Sequence, residues 1–215
     1  MKQREIKENI EQRFFELEDA FETRVVDENT YIRGYAVKYN ELSRPIGWGF
    51  REKFSPGAFD NVLKNDYRNV VNDTVCLFQH NPLYVLGRRS SGTLQIGSDE
   101  KGLWYEVKLP KTSAGNTVRE LIDRGDLRHS SFAFLVETKG ETWEETEEGE
   151  FRTIEKVRYL KDVSPVTDPA YPQTEVARRS YETWKTENTP ETDSQWQAEG
   201  RAREIQLHEM LTQLK

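Results

Sequence analysis

The chain has 215 residues, only 35% of them hydrophobic, with a formal net charge of −7 and a pI near 5.2. That balance excludes a global positive field for nucleic acid or anionic lipid, and it predicts one compact core with weakly packed ends. The single cysteine, Cys76, excludes an internal disulfide, and no apolar run suits a signal peptide or a bilayer-spanning helix, so a soluble intracellular protein is expected.

The opening MKQREIKENIEQ is dense in charge and thin in apolar residues, which predicts a frayed or weakly helical arm over residues 1–21. FETRVVDENTYIRGYAVKY reads as two β-runs joined at DEN, with Val25, Val26, Tyr31, Ile32, Tyr35 and Val37 as strand formers. In SPGAFDNVLKN, Ser55 can cap a helix, Pro56 suits its first position, and Phe59, Val62 and Leu63 form its apolar face. TVCLFQH (74–80) is a short buried-type strand that ends at His80, where NPLY begins a turn. GTLQIGSDEKGLWYEVKLP reads as a hairpin turning at SDEKG. A second helix follows in TSAGNTVRELIDRG, capped by Thr112 or Ser113, faced by Val118, Leu121 and Ile122, and closed by Gly125. SSFAFLVET and RTIEKVRYLKDVSPV are the last two long strands, with an acidic solvated hairpin between them. From ARRSYETWK onward the composition turns polar. A linker and then an amphipathic helix on Ile205, Leu207, Met210, Leu211 and Leu214 are expected over 179–215. Strands outnumber helices and look hairpin-connected, so the expected class is α+β, mostly β: an antiparallel sheet or barrel with a few helices outside it.

The stretch GDLRHSSFAF carries the candidate chemistry. On a strand over 129–136, Ser130, Phe132, Phe134 and Val136 share one face, and His129, Ser131, Ala133 and Leu135 share the other. The aromatic face must be core. Ser130 is then a buried structural hydroxyl, and Ser131 lies beside the small Ala133, with room for a substrate chain. A serine hydroxyl needs an imidazole to take its proton. His208 falls on the tail helix. His129 lies roughly 6–7 Å along the strand from Ser131, too awkward for a direct bond but able to orient the site. His80 ends its strand where a side chain can face a cleft. Cys76, the rival nucleophile, is roughly 13 Å from His80 along an extended strand and reads as a buried structural thiol. For the acid partner, Asp162 sits in an apolar alternation where a carboxylate is costly unless paired, whereas Asp168 before Pro169 is explained by a turn. No histidine pair has ligand spacing, and neither HExxH nor a phosphate-cradling glycine loop occurs.

In chain order, YIRGYAVKYNELS, REKFSPGAF, LFQHNP, LGRRSSGTLQIGSDEKGLWYEVKLP, LIDRGDLRHSSFAF and LKDVSPVTDPAYPQT resemble the tailed-phage prohead maturation proteases, over residues 22–178. The resemblance implies a serine peptidase domain there, a β-barrel with surrounding helices, distantly similar to the herpesvirus assemblins. It implies cleavage of scaffold and major capsid protein precursors, and commonly of the enzyme itself, inside the immature shell in the host cytoplasm. No metal or organic cofactor, nucleic acid or membrane is required, and self-association under crowding is expected. The family histidine falls on His80 in FQHNP, the serine on Ser131 in SFAF, and the acid on Asp162 in KDVSPV. Ala133 stands where glycine is usual. Because assemblins use a second histidine, His129 is the alternative third member. Backbone N–H groups are the expected oxyanion donors, with support from Arg88 or Arg89 in GRRSSGT. The tail is expected to tether the enzyme to the shell or to be removed. Two other classes compete: a non-enzymatic capsid-assembly or scaffolding protein on the same fold, and an esterase-like hydrolase of small molecules.

Overall fold

The computed structural model describes residues 10–16, 21–46, 49–64, 73–167 and 175–188. The chain divides into two compact units, 1–176 and 177–215. Strands β1 (Glu11–Glu16), β2 (Glu22–Val26) and β3 (Asn29–Lys38) are followed by β4 (Arg51–Phe54) and the short helix α1 (Asp60–Lys64). Next come β5 (Val75–Phe78), β6 (Asn81–Arg88), β7 (Leu94–Ser98), β8 (Gly102–Lys108), helix α2 (Ser113–Asp123) and β9 (His129–Val136). β10 (Glu141–Thr146), β11 (Gly149–Ile154) and β12 (Val157–Val166) complete the first unit, and helix α3 (Glu175–Asn188) runs into the second.

The strands form three sheets, ordered β1-β9-β12-β5-β6, β2-β3-β8-β7 and β10-β11-β4. Their apolar faces share one core. Ile32, Leu103, Tyr105 and Val107 enter it from the four-stranded sheet, Phe132, Phe134, Leu160 and Val163 from the five-stranded sheet, and Phe54 and Ile154 from the third. Phe54 carries the contact between sheets, with its ring 5.5 Å from Phe132 and 5.3 Å from Phe134. Edge-to-face pairs of this kind add about 0.5–1.5 kcal/mol each beyond the area they bury. The β2–β3 connection is a two-residue turn at Asp27 and Glu28, both left-handed (φ 47° and 61°), which matches the strand twist. Thr112 caps α2, its side chain accepting from the Gly115 N–H.

Several expectations change. The antiparallel barrel does not close among the described residues: the ladders end at β1 and β6 in one sheet and at β2 and β7 in another. Two pairings, β12–β5 and β11–β4, are parallel. The sheets meet through interlocking side chains instead of shared edge hydrogen bonds, which buries the aromatic faces without closure. Residues 11–16, expected in a frayed or helical arm, form β1 against β9, because Glu11 and Arg13 find buried charged partners there. NPLY continues into β6 instead of a turn, and RTIEKVRYLKDVSPV is two strands broken at Glu155 and Lys156. Residues 175–188, expected to be largely linker, are helical, with Arg178 and Glu182 paired at i,i+4. The expected terminal helix with His208, and the segment holding Asp168, lie outside the described residues. No described helix is long and apolar enough to cross a membrane.

Candidate active site

His80 is delivered by a turn under strain. Phe78 pairs with Asn81, so Gln79 and His80 are the two central residues of the β5–β6 hairpin, with φ of 58° and 55°. The left-handed conformation costs a residue with a Cβ about 1–2 kcal/mol, and this turn contains no glycine. Two bonds to the end of β12 hold it: the Gln79 N–H donates to the Pro165 carbonyl (3.2 Å) and Gln79 Nε2 donates to Thr167 Oγ1 (2.6 Å). The imidazole is thereby set against β12.

A bulge in β12 sets the acid. Leu160 pairs with Phe134, but Asp162 pairs with Ala133, so Lys161 is the extra residue. Without the bulge, Leu160 and Asp162 would share a face. With it, Leu160 and Val163 enter the core while Asp162 and Ser164 join Ser131 on the opposite face. Ala133 stands directly across from Asp162 and is fully buried. Gln12 of β1 pairs with Ala133 on the other side of β9.

The result is a continuous chain of polar contacts. Ser131 Oγ lies 2.5 Å from His80 Nε2, and His80 Nδ1 lies 2.5 Å from Asp162 Oδ1. A carboxylate only accepts, so Nδ1 carries the hydrogen and Nε2 is left to receive the serine proton. Asp162 is wholly buried, His80 is 17% exposed and Ser131 is 6% exposed. Ser164 Oγ donates to Asp162 Oδ1 at 3.0 Å and lies 3.2 Å from His80 Nδ1. Such an arrangement can move a proton off a hydroxyl and stabilise the imidazolium that forms.

The other candidates are placed differently. His129 begins β9 opposite Val166, and its Nδ1 is buried without a hydrogen-bond partner among the described residues; the atom bonded to His80 Nδ1 belongs to Asp162. Arg88 is paired with Asp73 at 2.8 Å, and Arg89 Nη1 donates to the Val62 carbonyl at 3.1 Å. Cys76 is fully buried, and burial, reinforced by the Asp162 charge, pushes its thiol well above the ordinary range, which keeps it unreactive. Ser130 bonds Tyr105 within the core at 3.1 Å.

Sequence reasoning missed Ser164 and everything contributed by β1. Ser164 was within reach: it follows Asp162 by two residues on a strand, hence on the same face. The Arg13 carbonyl accepts from Ser131 Oγ at 2.8 Å, and nothing in MKQREIKENIEQRFF marks that segment as a strand. On the other face of β9, Glu11, Arg13, Glu52 and Arg152 form a closed ring of buried ion pairs with contacts of 2.6 to 3.0 Å, and Glu141 joins it through Arg152.

A model of the caudovirus prohead serine protease family matches residues 19–187. No curated protein sequence matches the chain. Among solved structures, the capsid assembly protease gp21 of bacteriophage T4 has a similar fold, with a TM-score of 0.51 at 10% identity, covering 75% of this chain and 98% of that one.

Proposed function

Because the chain belongs to the caudovirus prohead serine protease family, and so acts as a serine protease in capsid maturation, we propose that Ser131 is its nucleophile, His80 its general base and Asp162 the acid that orients the base. One observation carries this reading: the unbroken line from Ser131 Oγ through the imidazole to Asp162 Oδ1, with both contacts at 2.5 Å. His80 Nε2 takes the Ser131 proton as Oγ adds to a peptide carbonyl. The imidazolium then gives that proton to the departing amine, and water hydrolyses the acyl-enzyme through the same histidine. Asp162 fixes the tautomer and balances the imidazolium, and Ser164 holds the carboxylate in place. His129 is assigned no proton transfer. Backbone N–H groups are the proposed oxyanion donors, with support from Arg88 or Arg89, directly or through water, through guanidinium N–H groups other than those bonded to Asp73 and the Val62 carbonyl.

The proposed substrates are the precursors of the major capsid protein and the scaffold, together with the enzyme itself, cleaved within the prohead in the host cytoplasm. The protease domain is placed at 22–178, with the flanks 1–21 and 179–215 available for tethering or self-processing. The distant kinship with herpesvirus assemblins belongs to the same proposal. The test is intact mass over time for the phage's capsid precursor mixed with wild type or with Ser131→Ala. Cleavage by wild type and a rate lower by about 10⁴-fold or more in the variant is expected. Equal processing by both would remove Ser131 from the chemistry and favour an assembly role without catalysis.

A further inference from the structure

Strand β1 covers the candidate nucleophile. It pairs antiparallel with β9, Phe14 stands opposite Ser131, and the Arg13 carbonyl oxygen accepts a hydrogen bond from Ser131 Oγ at 2.8 Å. The nucleophile is left only 6% exposed, so another chain can reach it only after β1 yields. The serine proton has two acceptors within reach, this carbonyl and His80 Nε2. Once the proton turns toward Nε2, an Oγ lone pair is free to face the peptide group of Arg13.

Two side chains of β1 are recognised by buried charges of the domain beneath it. The Arg13 guanidinium meets the Glu52 carboxylate twice, Nε to Oε1 at 2.8 Å and Nη2 to Oε2 at 3.0 Å. The Glu11 carboxylate meets Arg152 twice, at 2.7 and 2.9 Å. Glu52 and Arg152 come from β4 and β11, and like Ser131 they lie within the family-matched residues 19–187; β1 precedes them. The recognising groups therefore lie within the family-matched span, and the recognised strand precedes it. With β1 gone, Arg152 would keep Glu52 and Glu141. That leaves a groove with one excess negative charge, suited to receive a guanidinium.

We propose that β1 is bound as the chain's own substrate, with Arg13–Phe14 the bond presented to Ser131. Glu52 and Arg152 are then specificity-determining residues, selecting a basic side chain immediately before the cut and an acidic one two residues earlier. The proposal rests on the assignment of Ser131 as nucleophile. In the step, Oγ bonds to the Arg13 carbonyl carbon while His80 takes the hydroxyl proton. The bond to the Phe14 nitrogen breaks as that nitrogen receives the proton. Water then cleaves the Arg13 ester, releasing residues 1–13 with a carboxylate and restoring the Ser131 hydroxyl.

The test follows intact mass and the new N-terminus of the purified full chain, with capsid precursor in the same reaction, for wild type, Ser131→Ala and Arg13→Gln. Wild type is expected to lose residues 1–13 and expose Phe14, Ser131→Ala to stay whole, and Arg13→Gln to be trimmed at least about tenfold more slowly. A synthetic peptide of residues 7–20, cut in trans by the unaltered enzyme, should break at the same bond. Its Arg13→Gln and Glu11→Gln forms should each be cut at least about tenfold more slowly, which separates recognition from any folding defect. If precursor is processed in a Ser131-dependent way while Arg13–Phe14 stays whole, the proposal falls and the catalytic assignment stands. Faster precursor processing by Arg13→Gln would make β1 a blocking strand and would equally overturn it. Processing that ignores Ser131→Ala would sink both.

Discussion

The two faces of β9 bury polar groups in opposite ways. On one face, Glu11, Arg13, Glu52 and Arg152 alternate in sign around a ring, and every carboxylate meets a guanidinium directly. On the other, Ser131, His80, Asp162 and Ser164 share protons along a line, and Asp162 Oδ2 is buried without a hydrogen bond among the described residues. The first cluster holds fixed charges and has nothing to gain from titration. The second is built around one movable proton and is delivered by a hairpin turn that costs backbone energy. Breaking the ring should therefore cost stability, whereas breaking the line should cost activity.

The largest expected effect tests the line. Asp162→Asn keeps the size and burial of the side chain, but its amide can donate to His80 Nδ1. The imidazole hydrogen then moves to Nε2, which can no longer accept from Ser131. kcat/KM on capsid precursor should fall about 10³–10⁴-fold, while the urea midpoint moves by no more than about 1 kcal/mol of stability. A variant with near-normal turnover would show that the base finds its tautomer without Asp162.

Arg152→Met tests the ring. The Arg152 side chain is among the largest fully buried ones, and its removal leaves Glu11 and Glu52 sharing Arg13 alone, with one buried negative charge in excess. Breaking a buried pair by deleting one partner costs about 3–5 kcal/mol, which urea unfolding would read as a large drop in midpoint. An unchanged midpoint would mean that the ring is solvated in solution.

The next effect is smaller and has a defined pH window. Burial, the largest influence on Glu11, would raise its carboxyl, but the charges and hydrogen bonds of Arg152 and Arg13 outweigh it and lower it from 4.5 to about 2. A carboxyl depressed in the folded state adds stability that is complete above the unfolded value and fades as pH falls toward the folded one. Between about pH 4.5 and 2, wild type should lose stability more steeply than Glu11→Gln, both measured on a Ser131→Ala background so that β1 stays attached. Parallel pH profiles would show that Glu11 titrates normally and that β1 is not docked.

The contrast between the faces also explains what could be read from sequence. Hairpins β2–β3 and β7–β8, the Thr112 cap and the two faces of β9 follow from local alternation and turn chemistry, and local patterns suffice for them. Ser131 and His80 were legible from a strand face and a strand end, which are local too, and Asp162 from the cost of burying an unpaired carboxylate. Arg152 was hidden for the opposite reason: it opens the strand-like run RTIEKVRYLKDVSPV directly after an acidic solvated stretch, and its partners Glu11 and Glu52, both distant in sequence, are what make it a core residue. Lys161 hid the bulge in the same way, since a single extra residue leaves no mark on composition while reversing which side chains face the core. Barrel closure was misjudged because alternation fixes which face of a strand is buried and says nothing about which edge it pairs with.

The smallest expected effect sharpens the description of the line. Ser164 touches no substrate and acts through Asp162, so it is a positioning residue. Its hydroxyl donates to the same Oδ1 that accepts from His80, and so shares the carboxylate's charge with the imidazole. In Ser164→Ala, Asp162 Oδ1 loses one of its two donors and the carboxylate is freer to turn away from His80 Nδ1. kcat should then fall about three- to tenfold, roughly the worth of one hydrogen bond, with KM unchanged. Ser164→Thr, which keeps the hydroxyl, should restore the rate. A loss that Ser164→Thr does not restore would reduce Ser164 to packing, and the line would end at Asp162.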